Sequence, residues 1–185
     1  MTQTVTILGL ALAALSWLPA GARAAASEEE ALREFRFADI DGGELGFADW
    51  AGRPELVANT ASFCAFTPQY AELQALYDAY KDRGLVVLAV PSDDFNQEYA
   101  SDQEVKDYCE LTYGLDLPMT TIAHVKGDEA LPFYRWLAET RGFVPAWNFN
   151  KVLIGGDGAV LGTFGSRASP AGAEIRDAVE AALAS

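Results

Sequence analysis

Cysteine and histidine are nearly absent from this chain. Its 185 residues include two cysteines, Cys64 and Cys109, and one histidine, His124. Two thiols cannot build a disulfide framework, and a single histidine excludes the usual Cys/His zinc sets. Basic residues are also scarce, with 13 Lys and Arg against 27 Asp and Glu and a formal net charge of −14. That balance favours solubility and argues against nucleic acid or an anionic membrane surface as a partner. The chain has no phosphate-cradling glycine loop, internal repeat or low-complexity block, so nucleotide-binding and solenoid classes drop out.

The one long apolar run covers residues 5–18 and is followed by Pro19-Ala20-Gly21 and an Ala22-Arg23-Ala24 triplet. Residues 1–24 read as a secretory signal, because the apolar run is short for a membrane span and the triplet fits the small-x-small cleavage rule. No Lys or Arg precedes the run, so an uncleaved membrane anchor is the alternative. Residues 25–185 form a single domain, with 12 basic and 27 acidic residues. The expectation is export, to a periplasm if the source has one, with no stable membrane association once the leader is removed. In such an oxidising compartment two thiols can cycle between dithiol and disulfide.

The mature chain opens with two alternating segments, residues 35–40 and 44–47, around Asp41-Gly42-Gly43, the pattern of a β-hairpin. A strand over 55–61 leads into a short turn, and helical spacing of Tyr70, Leu73, Leu76, Tyr77 and Tyr80 predicts a helix over 68–83. The continuous apolar run 85–90 reads as a strand covered on both faces. Strand, helix, strand of this length is a βαβ unit with parallel strands. Residues 91–100 form a loop at the end of that strand where α/β folds place their sites. Ser101 and Glu104 make a capping box for a helix whose inward face is Val105, Tyr108, Cys109 and Thr112. A further helix is expected over 128–140. Residues 151–154 and 159–164 flank Gly155-Gly156-Asp157-Gly158 as a second hairpin. Ser169-Pro170 opens a closing helix with Ile175, Val179 and Leu183 inward. The layout is α/β, a thioredoxin-like fold with an added N-terminal β-hairpin and a central helix insertion.

Cys64 sits in the turn between strand and helix, ahead of Thr67 as a candidate N-cap and Pro68 at the first helical position. Unpaired amides at a helix start favour an anion, so this placement suits a reactive thiol better than a structural one. Position 67 is Thr, which excludes a Cys-x-x-Cys exchange centre. Position 61 is Ala, which excludes the Thr-x-x-Cys turn of ordinary peroxiredoxins.

The segment VANTASFCAFTPQY (57–70) resembles the active-site segment of the glutathione peroxidase family in its cysteine form. GLVVLAVPSDDFNQ (84–97) and AWNFNKVLI (146–154) resemble that family's second and third segments, and the likeness runs from about Phe35 to the C-terminus. The resemblance implies a peroxidatic cysteine at Cys64, with Gln97, Trp147 and Asn148 completing a tetrad. Peroxide reduction needs a thiolate nucleophile, and indole and amide N–H donors suit its stabilisation. Three positions depart from the family pattern: Phe63 replaces a common Lys, Ala65 replaces Gly, and the loop before Gln97 is one residue shorter. The resemblance also places Cys109 near the resolving cysteine of thioredoxin-dependent members, though one position earlier. A resolving thiol and a buried structural thiol both fit it. No cofactor or metal is implied. The expected activity is thiol-dependent reduction of hydrogen peroxide or organic hydroperoxides, with glutathione or a thioredoxin-like protein as reductant. The tetramer-interface insertion is missing between His124 and Trp147, which implies a monomer or weak dimer. The alternatives from other classes are a redox-inactive thioredoxin-fold binding or chaperone protein and a dithiol electron carrier of the cell envelope.

Overall fold

A four-stranded mixed sheet carries the molecule, in the order β4-β3-β5-β6. The computed structural model describes residues 29–185, so the expected leader and its cleavage site lie outside the described residues. The N-terminal hairpin pairs β1 (Arg36–Ala38) with β2 (Glu44–Gly46) as a separate two-stranded sheet. In the main sheet, β3 (Glu55–Thr60) runs parallel to β4 (Val86–Pro91), with Leu56 opposite Val87 and Ala58 opposite Ala89. On its other edge β3 pairs antiparallel with β5 (Lys151–Ile154), which pairs antiparallel with β6 (Val160–Phe164). The expected βαβ unit and C-terminal hairpin are thus both present.

Strand periodicity divides the core into two layers. Leu56, Ala58, Val87, Ala89 and Leu153 point to one face, beneath α1 (Gln69–Tyr80), α2 (Asp102–Tyr113) and α4 (Ala173–Leu183). Val57, Val86, Leu88, Val90, Val152 and Ile154 point to the other, beneath Phe37, Phe47 and Trp50 and α3 (Pro132–Arg141). Every residue of β3, β4 and β5 is buried. Each such Val, Leu or Ile contributes about 1.5–3 kcal/mol of apolar burial, so the central strands dominate the fold's stability.

Helix ends follow local chemistry. Gly84 (φ 110°) and Gly114 (φ 62°) stop their helical segments in the left-handed region open to glycine. Ser101 caps α2, its hydroxyl accepting from the Glu104 N–H. Three starts differ from the sequence expectation. α3 begins at Pro132 rather than 128, because the residue before a proline is driven extended and Leu131 has ψ 146°. α4 begins at Ala173 behind Gly172, since Ser169-Pro170 closes a turn instead, with the Gly172 N–H donating to Ser169 O. Thr67 does not cap α1, for a reason given below. On α2, Thr112 faces solvent, and Tyr113 packs inward in its place.

Glu55 begins β3 at the sheet end remote from Cys64, with one carboxylate oxygen buried and unpartnered. Burial pushes its carboxyl up to about 9, against the opposing pull of Arg53 and Arg33. The folded state therefore holds this proton more tightly than the unfolded chain, and stability from this group falls as pH rises from the ordinary carboxylate range through about 9. Glu55→Gln is neutral throughout and should gain on wild type across that window, by a few kcal/mol at its upper end. Urea unfolding at a series of pH values measures the gain; parallel curves would mean Glu55 ionises in the fold without penalty.

Candidate functional site

Cys64 lies where β3 ends and the chain bends into α1, and its side chain is only 7% exposed. Thr67, the expected cap, instead braces the bend from within. Its hydroxyl accepts the Cys64 N–H (3.0 Å) and donates to Ala61 O (2.8 Å), and its own N–H is taken by Cys64 O (3.0 Å). Among the described residues the hydrogen-bond donor on the Cys64 sulfur is the Phe66 N–H, at 3.4 Å. A backbone amide therefore reaches the sulfur, as the sequence led one to expect, but from inside the turn rather than from the helix end.

Two loops from the same sheet end close around the turn. The first leaves β4 and carries Gln97, whose carbonyl accepts the Phe63 N–H at 2.9 Å. The shortened loop thus still brings Gln97 alongside the residue before Cys64. Asn96 ahead of it has φ 55°, a left-handed conformation that Asn tolerates. The second loop precedes β5 and carries Trp147 and Asn148. Asn148 is fully buried, and its Nδ2 donates to Gln97 Oε1 at 3.0 Å. Trp147 is 41% exposed, its ring lying on Phe95 at 5.2 Å between centroids. The structure therefore joins Gln97 to Asn148 directly. It brings Trp147 to the adjoining rim without a hydrogen bond from its indole to the sulfur.

Asn59, one step before the end of β3, holds the second loop in place. Its side chain donates to Trp147 O (3.1 Å) and accepts from the Asn150 N–H (3.1 Å), while its carbonyl accepts the Phe149 N–H (2.6 Å). Phe149 takes φ 60°, a left-handed conformation that is an outlier for a bulky side chain. Its buried ring packs edge-on against Tyr70 at 5.3 Å. Backbone strain of this kind persists only where surroundings over-determine it, and it concentrates at functional sites. Ser166 completes the bracing by donating to Asn148 O at 2.6 Å. Asn59 left one signal in the sequence, a polar residue inside the apolar strand ELVANT.

Lys151, the first residue of β5, is fully buried. Its Nζ donates to Gln69 Oε1 and to Ala168 O (2.7 Å), and burial pulls its pKa down to about 8. It shares strand parity with Leu153, so its inward direction was legible although its partners were not. Glu98 was missed entirely. Its Oε1 accepts the Ser62 (3.2 Å) and Tyr99 (2.9 Å) N–H groups. Burial pushes its carboxyl above the usual carboxylate range.

Cys109 is 1% exposed on the inner face of α2, in the same core layer as Cys64, and both thiols are free. Burial pushes its pKa up to about 12, with the Tyr70 hydroxyl opposing and the Glu98 and Glu110 charges adding to the rise. On its outer side lies a cleft of about 200 Å³ lined by Ile40, Lys106, Leu115 and Met119. His124 pairs through Nδ1 with Asp94 (2.6 Å), whose other oxygen accepts the Val125 and Lys126 N–H groups. This pairing ties the segment after His124 to the glutamine loop.

The sequence model of the glutathione peroxidase family matches residues 32–138, a stretch that includes Cys64, Gln97 and Cys109. A glutathione peroxidase-like peroxiredoxin of Schizosaccharomyces pombe is 39% identical over 137 residues, covering 71% of this chain and 87% of that protein. A hydroperoxy fatty acid reductase of Synechocystis is 39% identical over 142 residues, covering 71% and 84%. Among solved structures, the apo form of a protein named Trgpx superposes with a TM-score of 0.65 at 32% identity, covering 83% and 95%.

Thr67 satisfies two backbone groups of the cysteine turn that are otherwise buried. Thr67→Val keeps the shape and removes both hydrogen bonds, so a loss of about 1–3 kcal/mol is expected in denaturant unfolding. An unchanged midpoint would show that the turn holds itself without the hydroxyl.

Proposed function

The chain belongs to the glutathione peroxidase family and is a thiol-dependent peroxidase, and on that premise we propose that Cys64 is its peroxidatic residue. The observation that carries the assignment is the amide contact to the Cys64 sulfur in a braced turn beside the Gln97–Asn148 pair. A Cys64 thiolate attacks one peroxide oxygen; the O–O bond breaks and an S–O bond forms. Sulfur gives two electrons to the peroxide, and the departing oxygen takes a proton to leave as alcohol or water. Gln97 and Asn148 form one amide unit, with Asn148 orienting the Gln97 carbonyl so that the Gln97 NH₂ is the end left for sulfur or peroxide oxygen. Trp147 supplies an indole donor from the rim once peroxide is seated.

The rim is aromatic and half open. Phe63, 56% exposed, packs on Tyr99 at 4.4 Å between centroids, and Trp147 faces a groove of about 500 Å³ shared with Phe66, Ser166 and Arg167. This surface supports an organic hydroperoxide with an apolar chain as a substrate beside hydrogen peroxide, in line with the name of the Synechocystis relative. The sulfenic acid on Cys64 is then condensed with a thiol, releasing water and forming a disulfide, which a second thiol reduces. The net charge of −14 disfavours an anionic small thiol and supports a thioredoxin-like reductant over glutathione. Cys109 is placed to be the internal partner only if α2 opens locally, because it is buried on a capped helix. Export directed by residues 1–24 and a monomeric or weakly dimeric state belong to the same proposal; they rest on the apolar leader and on the absent interface insertion.

Cys64→Ser should abolish thiol-dependent peroxide consumption, whereas turnover that survives it would remove Cys64 from the role. Intact mass after one equivalent of peroxide then separates the two routes. A loss of about two daltons marks a Cys64–Cys109 disulfide and a gain of one oxygen marks a sulfenic acid without internal resolution. If Cys109 resolves, disulfide formation should quicken as pH rises, since local opening of α2 frees the thiol from the burial that holds it at about 12 and returns it to water, where a cysteine ionises at about 8.5.

A further inference from the structure

Three consecutive residues of the glutamine loop grip the two residues ahead of Cys64. Gln97 O accepts the Phe63 N–H, Glu98 Oε1 accepts the Ser62 N–H, and the Tyr99 ring lies against the Phe63 ring. The middle contact is the only one of the three made by a carboxyl group, and that carboxyl is buried. We propose that Glu98 is a positioning residue for the peroxide reaction: its carboxyl clamps the turn that carries Cys64 to the segment that carries Gln97. The proposal rests on the reading of Cys64 as the peroxidatic thiol.

The surroundings of Glu98 make it more than a surface hydrogen bond. Its Oε2 is buried with no hydrogen bond to it, and the hydroxyls of Ser62, Thr60 and Tyr70 are buried close by. Ser62's side chain lies against the Glu98 carboxyl, and Tyr70 lies beside Thr60 and Cys109, so these groups form one buried polar cluster under the turn. A buried carboxylate oxygen without a partner is costly. A proton on Oε2 would remove that cost while Oε1 keeps the two backbone N–H groups. The charged and titratable groups that act on this carboxyl are Asp93 from its own loop, Tyr70 from α1 and Cys109 from α2. Burial raises its proton affinity and Asp93 adds to the rise. As pH rises through its titration, a negative charge appears beneath the turn where the Cys64 thiolate forms, and like charges so placed disfavour each other.

The test follows Cys64 oxidation by hydrogen peroxide in a Cys109→Ser background, from acid to alkaline pH, by alkylation and intact mass. Glu98→Ala should slow the reaction about tenfold or more, since small misplacements of a reacting group cost rate steeply. Glu98→Gln keeps the clamp and stays neutral. Its rate relative to wild type should climb as pH rises, a signature that a purely structural role does not produce. Amide hydrogen exchange on the same proteins should show residues 62–64 and 97–99 loosened together in Glu98→Ala and held in Glu98→Gln. A wild-type rate in Glu98→Ala, a flat Gln-to-wild-type ratio across pH, or unchanged exchange would each overturn the clamp. Failure of wild-type Cys64 to react with peroxide sinks the peroxidatic assignment instead, and the exchange measurement then still decides whether Glu98 joins the two segments.

Discussion

Four hydrogen bonds radiate from Asn59 at the end of β3, two from its backbone and two from its side chain, all to residues 147–150. They join the strand that delivers Cys64 to the loop that delivers Trp147 and Asn148, segments almost ninety positions apart in sequence. An amide side chain inside a fully buried strand is tolerable only when both its ends are paired, and here both are. The strained Phe149 backbone and the Ser166 brace on Asn148 both depend on this junction. Without it the C-terminal loop would have no reason to meet the cysteine turn.

The surroundings of the cysteine are buried and unusually polar. Glu98, Lys151, Tyr70, Asn148 and Cys109 are all buried within the shell that supports the turn. Burial moves Glu98 and Cys109 upward and Lys151 downward, each toward its neutral form. A low-dielectric support of this kind leaves few mobile charges to compete with a thiolate, and it strengthens the oriented N–H groups that remain.

Most of the fold was legible in the residues. Alternation around Gly-containing turns predicted both hairpins, and continuous apolar runs predicted the covered central strands, because burial imposes period and run length directly. Helix starts were less legible. Thr67 looks like a cap in isolation, but the Cys64 N–H and Ala61 carbonyl claim its hydroxyl first. Ser169-Pro170 looks like a helix opening, but a turn through Gly172 intervenes. In each case a short-range rule met a competing partner that only the folded chain brings near.

Cys64 stood out because strand, turn and helix start are local features written in a dozen residues, whereas Gln97, Trp147 and Asn148 stood out only through the resemblance of their segments to one family. Those residue types and their spacing are what the sequence by itself determined. The tertiary structure alone decided that Asn148 pairs with Gln97, that Trp147 stays at the rim, and that Glu98 and Lys151 are interior rather than surface charges. The reason is physical. A hydrogen bond between distant segments depends on which loops leave the same end of the sheet. Burial of a single charge depends on what packs over it, and neither leaves a periodic trace in the chain.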